Sequence, residues 1–439
     1  MKSWTNAFRE KLTTAERAVE RVSSGDRVYV HPGCAEPETL VSALLKRAGQ
    51  LANVEIVHLL TLGKADYVKP EYRGRFRHNA LFIGSNVREA VTEGRADYTP
   101  VFLCEIERLF TSGQLPLDGA LVQLSPPDEH GYMSLGVGVD CTLTAARCAR
   151  YVIAEVNDRM PRALGDSFLH VTKVSAIVET SHPLAELLPV PFTELQHRIA
   201  QNVAGLIPDG ATLQMGIGGI PDAVLSCLRD RKDLGIHSEM VSDGVIPLIE
   251  SGVVNGEKKT LHTGKVVAGF MLGTRRLADF IHDNPIFEFH PTSYVNDPFI
   301  IAQNENMIAI NSALQIDLTG QVCADSIGTT LYSGIGGQVD FVRGAARSKG
   351  GKPIIALPST AKDGGVSRIS SLLSGAGVVT SRGDVHYVVT EHGVAYLHGK
   401  TLRQRAEALI AIADPAFRDQ LYDFAYRAHY LEPKCVSVP

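Results

Sequence analysis

"GDRVYVHPGCAEPETLVSALL" (25–45) and "DGATLQMGIGGIPDAVLSCLR" (209–229) lie one above the other at a shift of 184 residues. Pro37 falls on Pro221, Leu40 on Val224, Ser42 on Ser226 and Leu44 on Leu228. Each stretch is a short apolar run, a glycine-containing loop, a proline and the start of an amphipathic helix. Two further pairs keep the same order at a shift of 189. "LFIGSNVREAV" (81–91) meets "FMLGTRRLADF" (270–280), with Gly84 on Gly273. "SPPDEHGYMSLGVGVD" (125–140) meets "ALQIDLTGQVCADS" and the later "GIGGQVD", with Asp128 on Asp317 and Gly131 on Gly320. One such pair is a coincidence, whereas three in the same order predict two copies of one unit.

The copies meet near "LLPVPFTEL" (187–195), where two prolines interrupt the pattern. The helix "TELQHRIAQNVAGLI" opens the second copy as "TTAERAVERVSS" opens the first. The domains expected are therefore 1–190 and 191–439. Within the first, "RVYVH", "VEIVHLL", "NALFIG", "GALVQLS" and "RYVIAEV" read as strands between helical patterns. In the second, "ATLQM", "KVVAGFM", "MIAIN", "KPIIALP" and "VHYVVTE" do the same. Runs apolar on both faces and separated by helices predict an α/β fold with largely parallel sheets. In such sheets ligands sit at the carboxyl ends of the strands.

Composition narrows the function classes. Hydrophobic residues make up 44% and charged residues 21% of the 439, as in globular proteins. Lys plus Arg is 43 and Asp plus Glu 48, a formal charge of −5 that gives no reason to expect nucleic acid or an anionic membrane. No apolar run is long enough for a membrane span, and the first residues lack a secretory apolar core. The seven cysteines are odd in number and none forms a CxxC pair, which predicts reduced thiols in a cytoplasmic protein without a structural metal.

Two glycine loops fall where a site belongs. "QMGIGGIPDAV" (214–224) places Gly216, Gly218 and Gly219 between a strand and a helix, where they can adopt φ > 0 and let a ligand approach the backbone. Free N–H groups at a helix start suit an anion or a developing oxyanion. The loop is not a dinucleotide GxGxxG, because Pro221 takes the sixth position. "SGIGGQVDF" (333–341) is the second loop. Either can be a plain tight turn.

"GIHSEMVSDGV" (235–245) then carries Glu239 at the end of the next strand-like run, a neighbouring position on the same rim. A glutamate there can be solvated, ion-paired, a general base or a nucleophile. With an ordinary carboxylate pKa near 4.3 it is ionised at neutral pH and can attack an acyl carbon unaided, while backbone N–H groups hold the oxyanion. GxSxG, Walker A and HExxH are all absent, which leaves hydrolase elbows, P-loops and zinc proteases without support. Of the 15 histidines, His31 is the substrate-binding candidate, because it ends the first strand at the position matching Met215. His58, His237 and His262 read as structural.

"GIGGIPDAV", "HSEMVSDGV", "SGIGGQVDF" and "LPSTAKDGGVSRI" (357–369), in this order, resemble the acetyl-CoA hydrolase/transferase family of class I CoA-transferases. The branch most similar is that of the 4-hydroxybutyrate and butyryl-CoA:acetate CoA-transferases. The resemblance spans about residues 5–430. It implies two NagB/RpiA-like domains with the site in the cleft between them. It implies a glutamate that passes through a mixed anhydride and a glutamyl-CoA thioester, which by motif is Glu239. It further implies that Gly216, Ile217, Gly218, Gly219 and Ile220 contact CoA and the oxyanion, that Gly336 and Gly337 complete the pocket, that Asn311 lies near the CoA, and that Lys362 meets its phosphates or pantetheine. No cofactor or metal is expected to be bound permanently; acyl-CoA and a short carboxylic acid are the substrates. An acyl-CoA hydrolase shares every residue named, and a non-catalytic sensor would have no use for Glu239. A homodimer is the expectation for such a chain.

Overall fold

The computed structural model describes residues 3–432, so that Cys435 lies outside the described residues. Seven strands form the sheet of the first half: β1 (Arg27–Val30), β2 (Val54–His58), β3 (Phe76–Ala80), β4 (Asp97–Tyr98), β5 (Gly119–Leu124), β6 (Tyr151–Asn157) and β7 (Ala176–Thr180). Their order is β4-β3-β2-β1-β5-β6-β7, with every pair parallel. Eight strands form the sheet of the second half: β8 (Thr212–Met215), β9 (Gly235–Val241), β10 (Val266–Met271), β11 (Phe287–Phe289), β12 (Met307–Ser312), β13 (Lys352–Ala356), β14 (Tyr387–Thr390) and β15 (Gly393–Tyr396). The order β11-β10-β9-β8-β12-β13-β14 repeats the first strand for strand, and β15 adds an antiparallel edge.

The apolar runs become strands because helices cover both faces; all six residues of β5 are buried. "NALFIG" is displaced, since β3 is Phe76–Ala80 and residues 81–84 form the loop after it. The strand's buried polar side chains bond to the neighbouring β2. His78 bonds the Ile56 carbonyl, and Asn79 donates to Glu55. Between β7 and α2 (Glu194–Ala204), residues 181–193 have no regular structure. Thr193 and Gln196 close a capping box at the start of α2.

The turns at the 189-residue shift are built alike. Gly131 N–H donates to the Asp128 carbonyl and Gly320 N–H to that of Asp317, both glycines at positive φ. In each, the aspartate carboxylate accepts the N–H groups two and four residues on.

One hydrophobic cluster runs through both halves, from Tyr29, Val122 and Leu143 to Ile236, Met271 and Phe289. Backbone bonds reinforce it. Val139 and Asp140 N–H groups reach the Gly269 carbonyl, and Met271 N–H reaches Val137. The carboxyl ends of β9 and β10 are thereby fixed against the first half. Among the described residues no helix is long and apolar enough to cross a membrane, and the six described cysteines are free thiols.

Candidate active site

Glu239 is the fifth of seven residues in β9, inside the strand rather than at its end. Strand alternation puts His237 and Glu239 on one face, under α4 (Thr292–Val295) and α5 (Gln338–Arg347). His237 is fully buried there, bonded to the Val295 carbonyl and edge-on to Phe341. Glu239 is partly buried. Its Oε2 accepts the Asn296 Nδ2–H at 3.0 Å, and the Gly337 backbone N–H also acts on the carboxyl. A Cβ on Gly337 would stand 2.0 Å from Glu239 Oε2 and 2.2 Å from Asn296 Nδ2. Gly337 is thus a glycine because the carboxyl presses against its backbone.

Desolvation pushes the Glu239 carboxyl up to about 7, with the Asp340 charge adding to the rise and Asn296 and Gly337 opposing it. This corrects the expectation of a fully ionised carboxylate. Near pH 7 both the protonated and the ionised forms of Glu239 are populated.

The first glycine loop flanks it. β8 and β9 are parallel with Leu213 beside Ile236, a register that sets Gly216 beside Glu239. Ser238 Oγ–H donates to the Met215 carbonyl at 3.1 Å. Gly218 caps α3 (Gly219–Ser226) at φ +108, and a Cβ there or on Gly216 meets nothing within 4 Å. The space over the loop is open to a ligand. Gly219 departs from expectation. Its φ is not positive, nor is that of Gly216, and a Cβ on Gly219 would run into the Gln196 side chain of the capping box. Ile217 is exposed, whereas Ile220 turns into the core, so only its backbone can face a ligand. Asn311, on the other neighbour of β8, donates to Gln214 Oε1 at 3.1 Å.

The second glycine loop is held by the first half. Ile335 N–H donates to Tyr98 OH, Leu103 N–H donates to the Gly336 carbonyl, and Phe82 packs on Gly334 and Gly336. The pocket around Glu239 is therefore built from both halves.

Two predicted residues stand apart. His31 is fully buried with both ring nitrogens engaged. Nε2–H donates to the Gly138 carbonyl at 2.6 Å, and Nδ1 accepts the Gln123 N–H at 3.2 Å. Burial lowers its pKa to about 4, so it is a neutral core histidine with no free atom for a substrate. This corrects its candidacy. Lys362 is exposed at the tip of the hairpin joining Thr360–Ala361 to Val366–Ser367, with φ +51. No recorded contact ties it to Glu239.

Asn296 and Asp340 were missed as site residues. Asp340 lies in the quoted "SGIGGQVDF", but nothing local distinguishes Asn296. It caps the C-terminus of α4, where its N–H donates to the Thr292 carbonyl. A cavity of about 350 Å³ at the same rim, lined by Met160, His182, Glu186, Gly273, Arg275 and His282, does not include Glu239.

Two glycine loops and one desolvated carboxyl meet at the carboxyl ends of the second sheet, against the first half. The acetyl-CoA hydrolase/transferase N-terminal domain matches residues 1–189 and the C-terminal domain of the same family matches 273–425. The 4-hydroxybutyrate coenzyme A transferase of Clostridium kluyveri is 55% identical over 95% of this chain and 98% of its own. The butyryl-CoA:acetate CoA-transferase of Anaerostipes caccae is 37% identical over 97% and 98%. The crystal structure of RipA from Yersinia pestis superposes with a TM-score of 0.94 at 39% identity, over 98% of this chain and 100% of that one. The chain belongs to the acetyl-CoA hydrolase/transferase family. It is an enzyme, a CoA-transferase.

Proposed function

We propose that this enzyme moves CoA from a short-chain acyl-CoA to a carboxylate acceptor such as acetate, butyrate or 4-hydroxybutyrate, with Glu239 as the nucleophile. The ionised carboxylate attacks the thioester carbonyl and expels CoA thiolate, leaving a mixed anhydride. The thiolate attacks the glutamyl carbonyl, releases the first acid and forms a glutamyl-CoA thioester. The incoming carboxylate reverses these steps on its own behalf and leaves as acyl-CoA. N–H groups of Gly216–Ile220 and the Asn296 amide would stabilise the oxyanions. Asn311 and Gly336 border this pocket. Lys362, at the exposed tip of a hairpin in the same half, supplies the positive charge for a CoA phosphate.

The observation that carries this reading is the Glu239 carboxyl set between Gly337 and Asn296 beside an open glycine loop. We further read the halves as duplicated NagB/RpiA-like domains, 1–190 and 191–439, in a cytoplasmic homodimer. The matched strand orders and Asx turns support the duplication.

Incubation with acyl-CoA alone should add CoA less one water to the peptide holding Glu239. Borohydride should reduce that thioester and abolish activity, and steady-state plots should be parallel. Intersecting plots without an adduct would mean direct attack by the acid, with Glu239 at most a general base. CoA release independent of added carboxylate would identify a hydrolase instead.

A further inference from the structure

Asp340 is the third residue of α5 and 3% exposed, three residues after the glycine that touches Glu239. Its carboxylate is satisfied from the other half. Oδ2 accepts the Cys104 backbone N–H and Oδ1 the Cys104 Sγ–H, both at 3.2 Å and 236 residues away in sequence. The thiol pKa is raised by burial and by the Asp340 charge, so the sulfur keeps the proton it donates. The Asn296 amide that bonds Glu239 also acts on the Asp340 carboxyl, lowering its pKa. One amide thus lies near two carboxyls, and the outer carboxyl is held by the first half.

The first half has a matching aspartate that is satisfied differently. Asp140, at the end of "GVGVD", accepts Thr142 N–H and Oγ1–H and the Tyr29 hydroxyl, all from its own half. Only Asp340 takes its donors across the cleft.

We propose that Asp340 is a positioning residue that ties the seating of the first half to the reactivity of Glu239. It places a like charge beside the nucleophile and the Asn296 amide, and Cys104 keeps that charge in place. This rests on Glu239 as the nucleophile. The other groups facing the pair are few. Glu105 and Asp297 act on Asp340 or Cys104 through charge. Glu107 is occupied by Ser293 N–H and the Thr144 and Thr292 hydroxyls. His237 faces Val295 and is neutral. Desolvation is the main cause of the rise of Glu239 to about 7 and of Asp340 to about 6, and the Asp340 charge adds to the rise of Glu239.

The test is the pH dependence of glutamyl-CoA formation from acyl-CoA alone, read by mass in a single turnover. Asp340→Asn keeps an acceptor for the Cys104 N–H and removes the charge. The midpoint of adduct formation should fall by roughly 1 pH unit, the scale of a like charge at close range. Cys104→Ala removes the Sγ–H donor, leaves Asp340 less ionised, and should move the midpoint the same way by less. A folded Asp340→Asn enzyme with reduced amplitude but an unmoved midpoint would make Asp340 merely structural. Should that variant not fold, an unmoved midpoint in Cys104→Ala overturns the proposal. Absence of any adduct in the unaltered enzyme would overturn Glu239 as nucleophile instead.

Discussion

Replacing Glu239 by Gln should stabilise the protein, and by an amount that grows with pH. The folded-state pKa of Glu239 stands at about 7, against an ordinary 4.5. The native state therefore binds more protons than the unfolded chain between those values, and stability falls as pH rises through the window. The stability that the native enzyme draws from the protonated Glu239 is fully present below 4.5 and lost above 7. The displacement of about two and a half units corresponds to roughly 3 kcal/mol. Glutamine does not titrate, keeps an oxygen for the Asn296 N–H, and escapes the loss. Near pH 5 the two proteins should melt together. By pH 8 the variant should melt several degrees higher, on the order of 1–2 °C per kcal/mol for a chain of this length. Thermal melts across pH 5–8.5, without CoA or acid, read the difference directly. A gap between the curves that does not change with pH would show that Glu239 is not desolvated, and the mechanism would lose its explanation for a poorly solvated, reactive carboxylate.

Gly218→Ala forces a side chain into a φ of +108 at the cap of α3 and should lower kcat/KM by roughly 10²-fold or more, the scale of one oxyanion donor; unchanged kinetics in a folded variant would reduce the loop to a turn. Gly219→Val should instead act on stability, by displacing Gln196 from the capping box, and a melt beside the kinetics separates the two effects. Lys362→Ala should raise the KM for acyl-CoA more than it lowers kcat, since a phosphate contact far from the reacting carbon is mostly uniform binding; an unchanged KM would remove Lys362 from the CoA site.

The strands that sequence reading found are those apolar on both faces, such as Gly119–Leu124 and Met307–Ser312. Those it missed or displaced break that pattern for physical reasons. Asp97–Tyr98 and Phe287–Phe289 are too short to show a period. Phe76–Ala80 buries histidine and asparagine, whose hydrogen bonds are supplied by the strand beside it. His31 misled in the opposite direction. Its place at a strand end beside a loop is that of a site residue, yet its partners Gly138 and Gln123 close around it. Glu239 and the glycine loops were legible because their chemistry is local: a carboxylate on a rim and backbone that must stay bare.

What surrounds the nucleophile was not legible, because it is assembled across long separations. Asn296 lies 57 residues from Glu239, and Cys104 lies 236 from Asp340. The consequence is functional. A carboxylate in water is a weak nucleophile held by its hydration, and burial removes that hydration at the cost of raising its pKa. The site moderates the cost with one amide and one backbone N–H, and raises it again with Asp340. Glu239 is left with a pKa near the working pH, which preserves a usable ionised fraction while keeping the anion poorly solvated and reactive. The acid limb of kcat/KM should then lie near pH 7. A limb near 4.5 would mean that the carboxylate works from a hydrated state, and that the contacts with Gly337 and Asn296 orient it without activating it.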